Sequence, residues 1–424
     1  MRHSGIEWIG EIPKEWKVLP HKYIMRKKKE IQEHYSGQDI ISLTMNGVIV
    51  RDLDAGGKMP LSFDGYQVVY PNNLLLCLFD IDVTPRCVGL IKNYGVTSPA
   101  YSQFVVKEEG YPPYYDYLLR YMDDNKCLLH LSKNLRSSLT ETDFGQIHTC
   151  LPPLSEQQKI ANYLDKVCGE VDEMIALQEQ MIEELKAYKQ SVITEAVTKG
   201  LNPNVPVKDS GIDWIGDIPE EWKVVKLSLL TSKIGSGSTP TGGANVYVSE
   251  GVKFLRSQNV YFEGLDLSEV AHITDNIDEE MKGTRILPGD VLLNITGGSI
   301  GRCYYVDETL GRANVNQHVS IIRPKTIDTK YLKYSLQSSL GQEQVSLFQT
   351  GGNREGLSAA ALSNFRMLLP SKDEQQSIAS YLDTKCAEID ALIAIKQAKI
   401  EELKGYKKSV IYEYVTGKKE VEEA

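Results

Sequence analysis

No run of this chain approaches the ~20 uninterrupted apolar residues that a membrane-spanning helix needs. The N-terminus, M-R-H-S-G-I-E-W-I-G, lacks the apolar core of a signal peptide, so an intracellular, cytoplasmic protein is expected. No C-x-x-C pair occurs among the seven scattered cysteines. That argues against a disulfide framework and a Cys-rich zinc site, and fits a reducing compartment. The seven histidines form no H-E-x-x-H pattern, and His148-Thr149-Cys150 alone is a weak metal signal, so no metal is expected. Net positive charge is missing too: the chain carries −10.

What is present is ordinary. Hydrophobic residues make up 42% and charged residues 25% of 424 positions, which suits two or three folded domains. The acidity lowers the expectation of nucleic-acid binding, since phosphate contacts supply much of that affinity. Its distribution matters more than its total. Residues 1–150 hold 17 Lys and Arg against 18 Asp and Glu, with a local basic run of Lys22, Arg26, Lys27, Lys28 and Lys29.

An internal repeat organises the chain. Residues 4–18, S-G-I-E-W-I-G-E-I-P-K-E-W-K-V, match residues 210–224 at 12 of 15 positions. Residues 155–197 match 373–415 at 25 of 43. The chain is therefore a tandem duplication of a unit of about 200 residues. The segments between, 19–150 and 225–368, are much less alike but keep a common frame. Pro71-Asn72-Asn73-Leu74-Leu75-Leu76 faces Pro288-Gly289-Asp290-Val291-Leu292-Leu293. Arg86-Cys87 is expected to face Arg302-Cys303, Tyr117-Leu118 to face Tyr331-Leu332, and Arg136-x-x-Leu139 to face Arg354-x-x-Leu357.

The repeated segments 155–197 and 373–415 read as helices. Leu164, Val167, Val171, Met174, Gln178, Met181, Leu185, Tyr188 and Val192 fall at alternating spacings of three and four, a heptad seam with one polar interruption. Ser155 with Gln158, and Asp373 with Gln376, fit capping boxes, while Gly200 and Gly417 mark the stops. A helix of 43 residues would be about 65 Å long, too long for an ordinary domain core. In the second seam Leu382, Ile389, Leu392, Ile393, Ile400, Leu403, Tyr406 and Val410 are joined by Lys385, Lys396 and Lys399.

The intervening segments read as α+β. Short β-rich runs at Tyr66–Tyr70, Leu74–Phe79, Val291–Ile295 and Val319–Ile322 lie between Gly, Asn, Asp and Pro clusters, with short helices expected near Tyr114–Met122 and Thr329–Gln337.

Several motifs have plain structural readings. Gly235-Ser236-Gly237-Ser238-Thr239-Pro240 lacks the Lys-Ser/Thr pair of a Walker loop, and reads as a plain loop or one lying along a nucleic-acid backbone. Tyr111-Pro112-Pro113-Tyr114 resembles an amino-methyltransferase motif, but Tyr111 cannot accept the hydrogen bond of the target amine, so it reads as a turn. Glu184-Leu185-Lys186 and Glu402-Leu403-Lys404 sit on the heptad helices and read as surface charge rather than as part of a nuclease site. Polar residues suited to base edges are plentiful, since Arg pairs with guanine and Asn or Gln with adenine. The first copy offers Thr44, Asn46, Arg51, Arg86, Gln103, Asn134 and Arg136, besides Lys22, Arg26 and Lys27 of the basic run. The second offers Arg256, Gln258, Asn259, Arg302, Arg312, Asn314, Asn316, Gln317 and Arg354, besides Ser236, Ser238 and Thr239 of the loop.

The repeated S-G-I-x-W-I-G-x-I-P-x-x-W-K-V and L-P-x-x-x-E-Q-Q-x-I-A-x-Y-L-D motifs resemble the specificity subunit of Type I restriction–modification enzymes over essentially the whole chain. Gly95-Val96-Thr97-Ser98-Pro99-Ala100-Tyr101 and Gly289-Asp290-Val291-Leu292-Leu293 are also similar to that family. The resemblance implies two globular target recognition domains, residues 1–150 and 201–368, joined by two long antiparallel coiled-coil helices, 151–200 and 369–424. It implies a non-catalytic protein, each domain reading one half of a bipartite double-stranded DNA target. Two modification subunits would carry the S-adenosylmethionine chemistry of adenine methylation, and motor–nuclease restriction subunits would bring ATP and Mg. The helix positions Leu164, Val171, Leu185, Tyr188, Leu382, Ile389, Leu403 and Tyr406 would form the spacer and help dock partners. The rivals are a fused methyltransferase–nuclease acting alone, disfavoured by the missing cofactor motifs, and a coiled-coil scaffold without DNA specificity.

Overall fold

The computed structural model describes residues 1–45, 47–54, 60–84, 86–131, 137–349 and 356–422. Asn46, Asn134, Arg136 and Arg354 lie outside the described residues. The chain forms two compact units, residues 1–179 with 398–424, and residues 180–397. Both are α+β.

The first unit is built on an antiparallel sheet in the order Met25–Lys28, Ser102–Val106, Leu74–Leu76, Val88–Leu90. Leu74, Leu75 and Leu76 are all buried, so this short strand is apolar on both faces. The helix Pro112–Asp124 packs on the sheet. The second unit repeats the plan with Thr231–Ser236, Val319–Pro324, Val291–Asn294, Cys303–Tyr305 and the helix Thr329–Gln337. The turn into the central strand needs a left-handed residue in each copy, met by Asn72 (φ 65°) and Gly289 (φ 89°). The decoration differs. The first unit adds a hairpin, Ile41–Thr44 with Gly47–Val50, and a pair, Gln67–Val69 with Gly95–Thr97. The second adds a three-stranded sheet of Ala271–Ile273, Val252–Leu255 and Ala313–Val315, whose last pair is parallel.

Two expected correspondences shift. Leu76 lies opposite Val88 while its counterpart Leu293 lies opposite Cys303. Cys303 therefore matches Val88, and the Arg-Cys pairing read from sequence is one residue out. In the helices, Tyr117 donates to Asp165 and Tyr334 to Asp383, each at 2.7 Å. Tyr334 is thus the counterpart of Tyr117, and pairing Tyr117 with Tyr331 is one helical turn out. Tyr331 instead matches Tyr114: Tyr114 donates to Val415 O, and Tyr331 lies 3.4 Å from the equivalent Val197 O.

The long helices span Leu154–Lys199 and Lys372–Val415. Ser155 and Asp373 sit inside the first turn rather than at the cap. In the second helix the capping hydroxyl is that of Ser371, which accepts from Glu374 N at 3.3 Å. Gly200 and Gly417, both at positive φ, follow the helix ends. In the first unit Ile160, Ala161, Leu164 and Cys168 share a core with Val410, Ile411 and Val415, start against end. In the second, Ile193, Ala196 and Val197 share a core with Ile378, Leu382 and Cys386. The helices are antiparallel within each unit.

Each unit closes this junction with the same clasp. The entry repeat places Trp16 and Trp222, both buried, against the helices. Trp16 Nε1 donates to Glu156 at 2.9 Å and Trp222 Nε1 to Glu374 at 3.0 Å. A Cβ on Gly417 would lie 3.0 Å from Trp16, and one on Gly200 3.3 Å from Trp222, so glycine permits both the helix stop and the close approach. Gln157 and Gln375 do equivalent work: each carboxamide oxygen accepts the N–H of the residue before the sheet-packed helix of its unit, Tyr111 or Asp328.

Of the expected seam, Leu164, Val171, Leu382, Ile389 and Leu403 are buried and Leu185 is half-buried. Tyr188 and Tyr406 are not seam residues, being 56% and 52% exposed. Met174, Met181 and Leu392 are exposed as well. Ile182 and Ile193 are buried in their stead, because a straight helix drifts off a strict heptad. Lys385 and Lys399 turn outward to Glu388 and Glu402.

Candidate nucleic-acid interface

The second unit gathers its polar candidates at one end of its central strand. Beyond Asn294 the chain turns through Thr296–Arg302, beside the segment Ala313–His318. Gly237 brings the Gly/Ser loop against that segment: a Cβ there would lie 2.0 Å from Val315 O. Only glycine allows this approach. Ser238 N then donates to Val315 O at 3.2 Å, and the Thr239 hydroxyl donates to Gln317 Oε1.

Gln317 is oriented from its other side too. Its Nε2 lies 3.1 Å from His318 Nε2, and His318 Nδ1 lies 2.6 Å from Thr296 Oγ1. With the Gln317 amide nitrogen donating, His318 accepts at Nε2 and donates from Nδ1 to Thr296. The exposed Gln317 amide keeps a free N–H and an oxygen lone pair, the pattern that pairs with an adenine edge. Beside it, Asn294 Nδ2 donates to Ser257 O and Ser299 Oγ, which ties the Arg256–Gln258 turn to the Arg302 loop. Arg302 lies over the Tyr261 ring at 4.9 Å and Arg256 over Tyr247 at 5.8 Å. Gln258 and Ser236 are exposed, and Ser238 is half-buried.

Three candidates of this unit are structural. Asn259 is buried and caps its own turn, accepting from Arg256 N and donating to Asp266 O. Asn316 is buried and accepts from His318 N. Asn314 is fully buried, bonded to Asp278 and Thr284. Arg312 is exposed but forms ion pairs with Asp275 and Asp278. Burial pushes the Asp278 carboxyl up, but hydrogen bonds from Asn314, Arg312 and Arg285 together hold it below its usual range.

In the first unit the candidates are dispersed. Lys22 and Arg26 are exposed, and Lys27 pairs with Glu141. Thr44 donates to Gly47 O in the hairpin, and Arg51 follows it, half-buried. Two expectations fail. Gln103 is fully buried, donating to Val68 O and accepting from Asn73 and Tyr70 N, so it holds strands together rather than facing a groove. Arg86 is drawn to Asp124 at 3.0 Å and Asp123 at 3.9 Å, at the end of the Pro112–Asp124 helix. Among the described residues no group of three or more His, Cys, Asp or Glu could hold a metal, and no helix is long and apolar enough to cross a membrane.

Sequence reading missed His318, Thr296 and Ser299, and the rings of Tyr247 and Tyr261. The two hydroxyls and His318 gave no signal, because they act through Gln317 and Asn294. The tyrosines had a faint one: Tyr261 follows Arg256-x-Gln258-Asn259 closely enough for its ring to serve the same turn.

Comparison with known proteins shows what this chain is similar to. Residues 219–404 match the Type I restriction modification DNA specificity domain. The MjaVIII specificity subunit of Methanocaldococcus jannaschii is 30% identical over 283 residues, 65% of this chain and 63% of that protein. Over these residues the chain is similar to the Type I restriction–modification specificity subunits. The EcoBI specificity subunit of Escherichia coli is 28% identical over 251 residues, 57% of this chain and 52% of that protein. The matches thus span roughly half to two thirds of these relatives' lengths. The fold agrees over more of the chain. A chain from a structure of type I R-M complex assembly superposes with TM-score 0.72 at 17% identity, covering 96% of this chain and 98% of that one. The HsdS subunit of Thermoanaerobacter tengcongensis gives 0.53 at 17% identity, covering 98% and 100%.

Proposed function

We propose that this protein is the non-catalytic DNA-recognition subunit of a Type I restriction–modification complex, each copy of its repeat reading one half of a bipartite double-stranded target. One observation carries the reading. Both units keep the same sheet, helix and tryptophan clasp, while the strands and polar side chains beyond that frame differ. A duplicated holder with two different fillings suits two different half-sites. Direct readout would come from the exposed Gln258 and Gln317 and the half-buried Arg302, and phosphate contacts from Lys22 and Arg26.

Methylation of adenine and cleavage fall to partner subunits, which bring S-adenosylmethionine, ATP and Mg. Two modification subunits fit the repeat, because the exposed apolar residues of the helices are themselves duplicated. Met174, Leu177 and Tyr188 recur as Leu392, Ile395 and Tyr406, all exposed. Co-expression with a modification subunit that it binds, followed by whole-genome methylation sequencing, tests the reading. One bipartite methylated motif is expected; no methylation, with a complex that forms but binds DNA without preference, supports a scaffold instead.

A further inference from the structure

The equivalence of Tyr117 and Tyr334 sets two further pairs of positions against each other. On the helix Pro112–Asp124, Asp116 and Arg120 form a 2.8 Å ion pair, with Asp116 buried. On the helix Thr329–Gln337, the same positions are Lys333 and Gln337. The surrounding frame is unchanged: Lys407 and Asp172 pair in the first unit as Lys189 and Asp390 do in the second. The first unit supplies both charges at this place. The second supplies a cation, with an uncharged Gln337 at the position of its partner.

Lys333 is only 6% exposed, and its Nζ forms no hydrogen bond or ion pair with a described residue. It lies 3.5 Å from the centre of the Tyr334 ring and 5.3 Å from that of Tyr304. The carboxylates nearby are engaged. Asp383 accepts from Tyr334 at 2.7 Å and from Lys330 at 2.6 Å, and Asp390 holds Lys189. Gln337 is 5% exposed, and its Oε1 is buried without a partner. Both side chains line a cavity of about 270 Å³ within the second unit, together with Lys189, Asp383, Asp390 and the exposed Glu263. Gln337 Oε1 is buried without a partner and the Lys333 ammonium meets only the faces of Tyr334 and Tyr304, so the cavity suits a ligand with both an acceptor and a donor.

We propose that this cavity binds a small oxyanion carrying a hydroxyl hydrogen, of the hydrogen-phosphate class. Lys333 donates to its charged oxygens, and Gln337 Oε1 accepts its hydroxyl. The ligand supplies the negative charge that Asp116 supplies in the first unit. Burial lowers the Lys333 pKa to about 8, which leaves the free ammonium largely charged at neutral pH, ready for an anion. The proposal does not depend on DNA recognition, because it concerns a cavity at the helix Thr329–Gln337 and not the exposed Gln317 surface.

Hydrogen exchange on the full chain tests it, with inorganic phosphate compared against sodium chloride at matched ionic strength. Phosphate should slow exchange several-fold and saturably across Thr329–Gln337, leaving Pro112–Asp124 unaffected. Lys333→Met should abolish that response. The double variant Lys333→Asp with Gln337→Arg rebuilds the ion pair of the first unit, so it should fold and be indifferent to phosphate. A wild-type response no larger than that to chloride, or one that survives in both variants, overturns the proposal.

Discussion

The two units answer the same structural problem with different chemistry at three positions. Where the first buries His21 beside Phe144, the second buries Leu227, and both backbone N–H groups donate to equivalent carbonyls at 2.9 Å. Where the first has Asp116 and Arg120, the second has Lys333 and Gln337. Where the first extends a hairpin, the second lays a three-stranded sheet. Contacts that attach each sheet domain to the helices did not drift, Trp to Glu and Tyr to Asp, and the Lys to Asp pair between the long helices recurs with them at nearly the same distances. The lesson is that attachment is fixed while the presented surface is free to change.

The strongest way to break this comparison is at the clasp. Trp16→Ala and Trp222→Ala should each cost about 3–5 kcal/mol, as large-to-small changes at buried aromatic sites do. Each loss should fall in its own unit, read by hydrogen exchange resolved along the chain. Equal loss in both units from a single substitution would mean that the frame is not local. Next come the buried tyrosines. Tyr117→Phe and Tyr334→Phe each remove a hydrogen bond to a carboxylate, worth about 1.5–3 kcal/mol. The two losses should agree in denaturant unfolding if the frames are truly equivalent.

His21 sharpens the contrast through pH. Full burial lowers its pKa from 6.5 to about 3. The folded form therefore stays neutral while the unfolded chain takes up a proton below about pH 6.5. Stability of the first unit should fall with decreasing pH between those values, by about 2 kcal/mol at pH 5. His21→Leu copies the second unit and should remove that slope. The smallest effect is at the surface: Gln317→Ala should cost about 1 kcal/mol of discrimination at one base pair of one half-site, measured by binding of the assembled complex to a randomised target.

Much of the frame was legible in the sequence because selection of the same contacts leaves the same residues at the same spacing. The tryptophan motif and the E-Q-Q helix start are such cases, since Glu156, Gln157, Glu374 and Gln375 all bond back to the recognition domains. The alignment failed where apolar residues are interchangeable. Tyr117 and Tyr331 match as letters, and only the acceptor Asp165 shows that the true partner is Tyr334 one turn on. The heptad reading failed at Tyr188 and Tyr406 because periodicity cannot say which side of a wide stripe is covered. The candidate site was legible at Gln317, Gln258 and Arg302, which are polar and accessible. It was not legible at Gln103 or Asn259, where the same residue types satisfy buried backbone groups. Residue type gives hydrogen-bonding capacity, and burial decides whom it serves.

The central claim, that each copy reads its own half of the target, is tested most directly by methylation mapping of a chimera. Residues 19–150 are replaced by the matching segment of a relative with a different target, and the assembled complex is expressed in a host whose genome is then sequenced for methylated bases. One half of the motif should change and the other should stay as it was. A change in both halves, from a complex that assembles and methylates, would contradict the account.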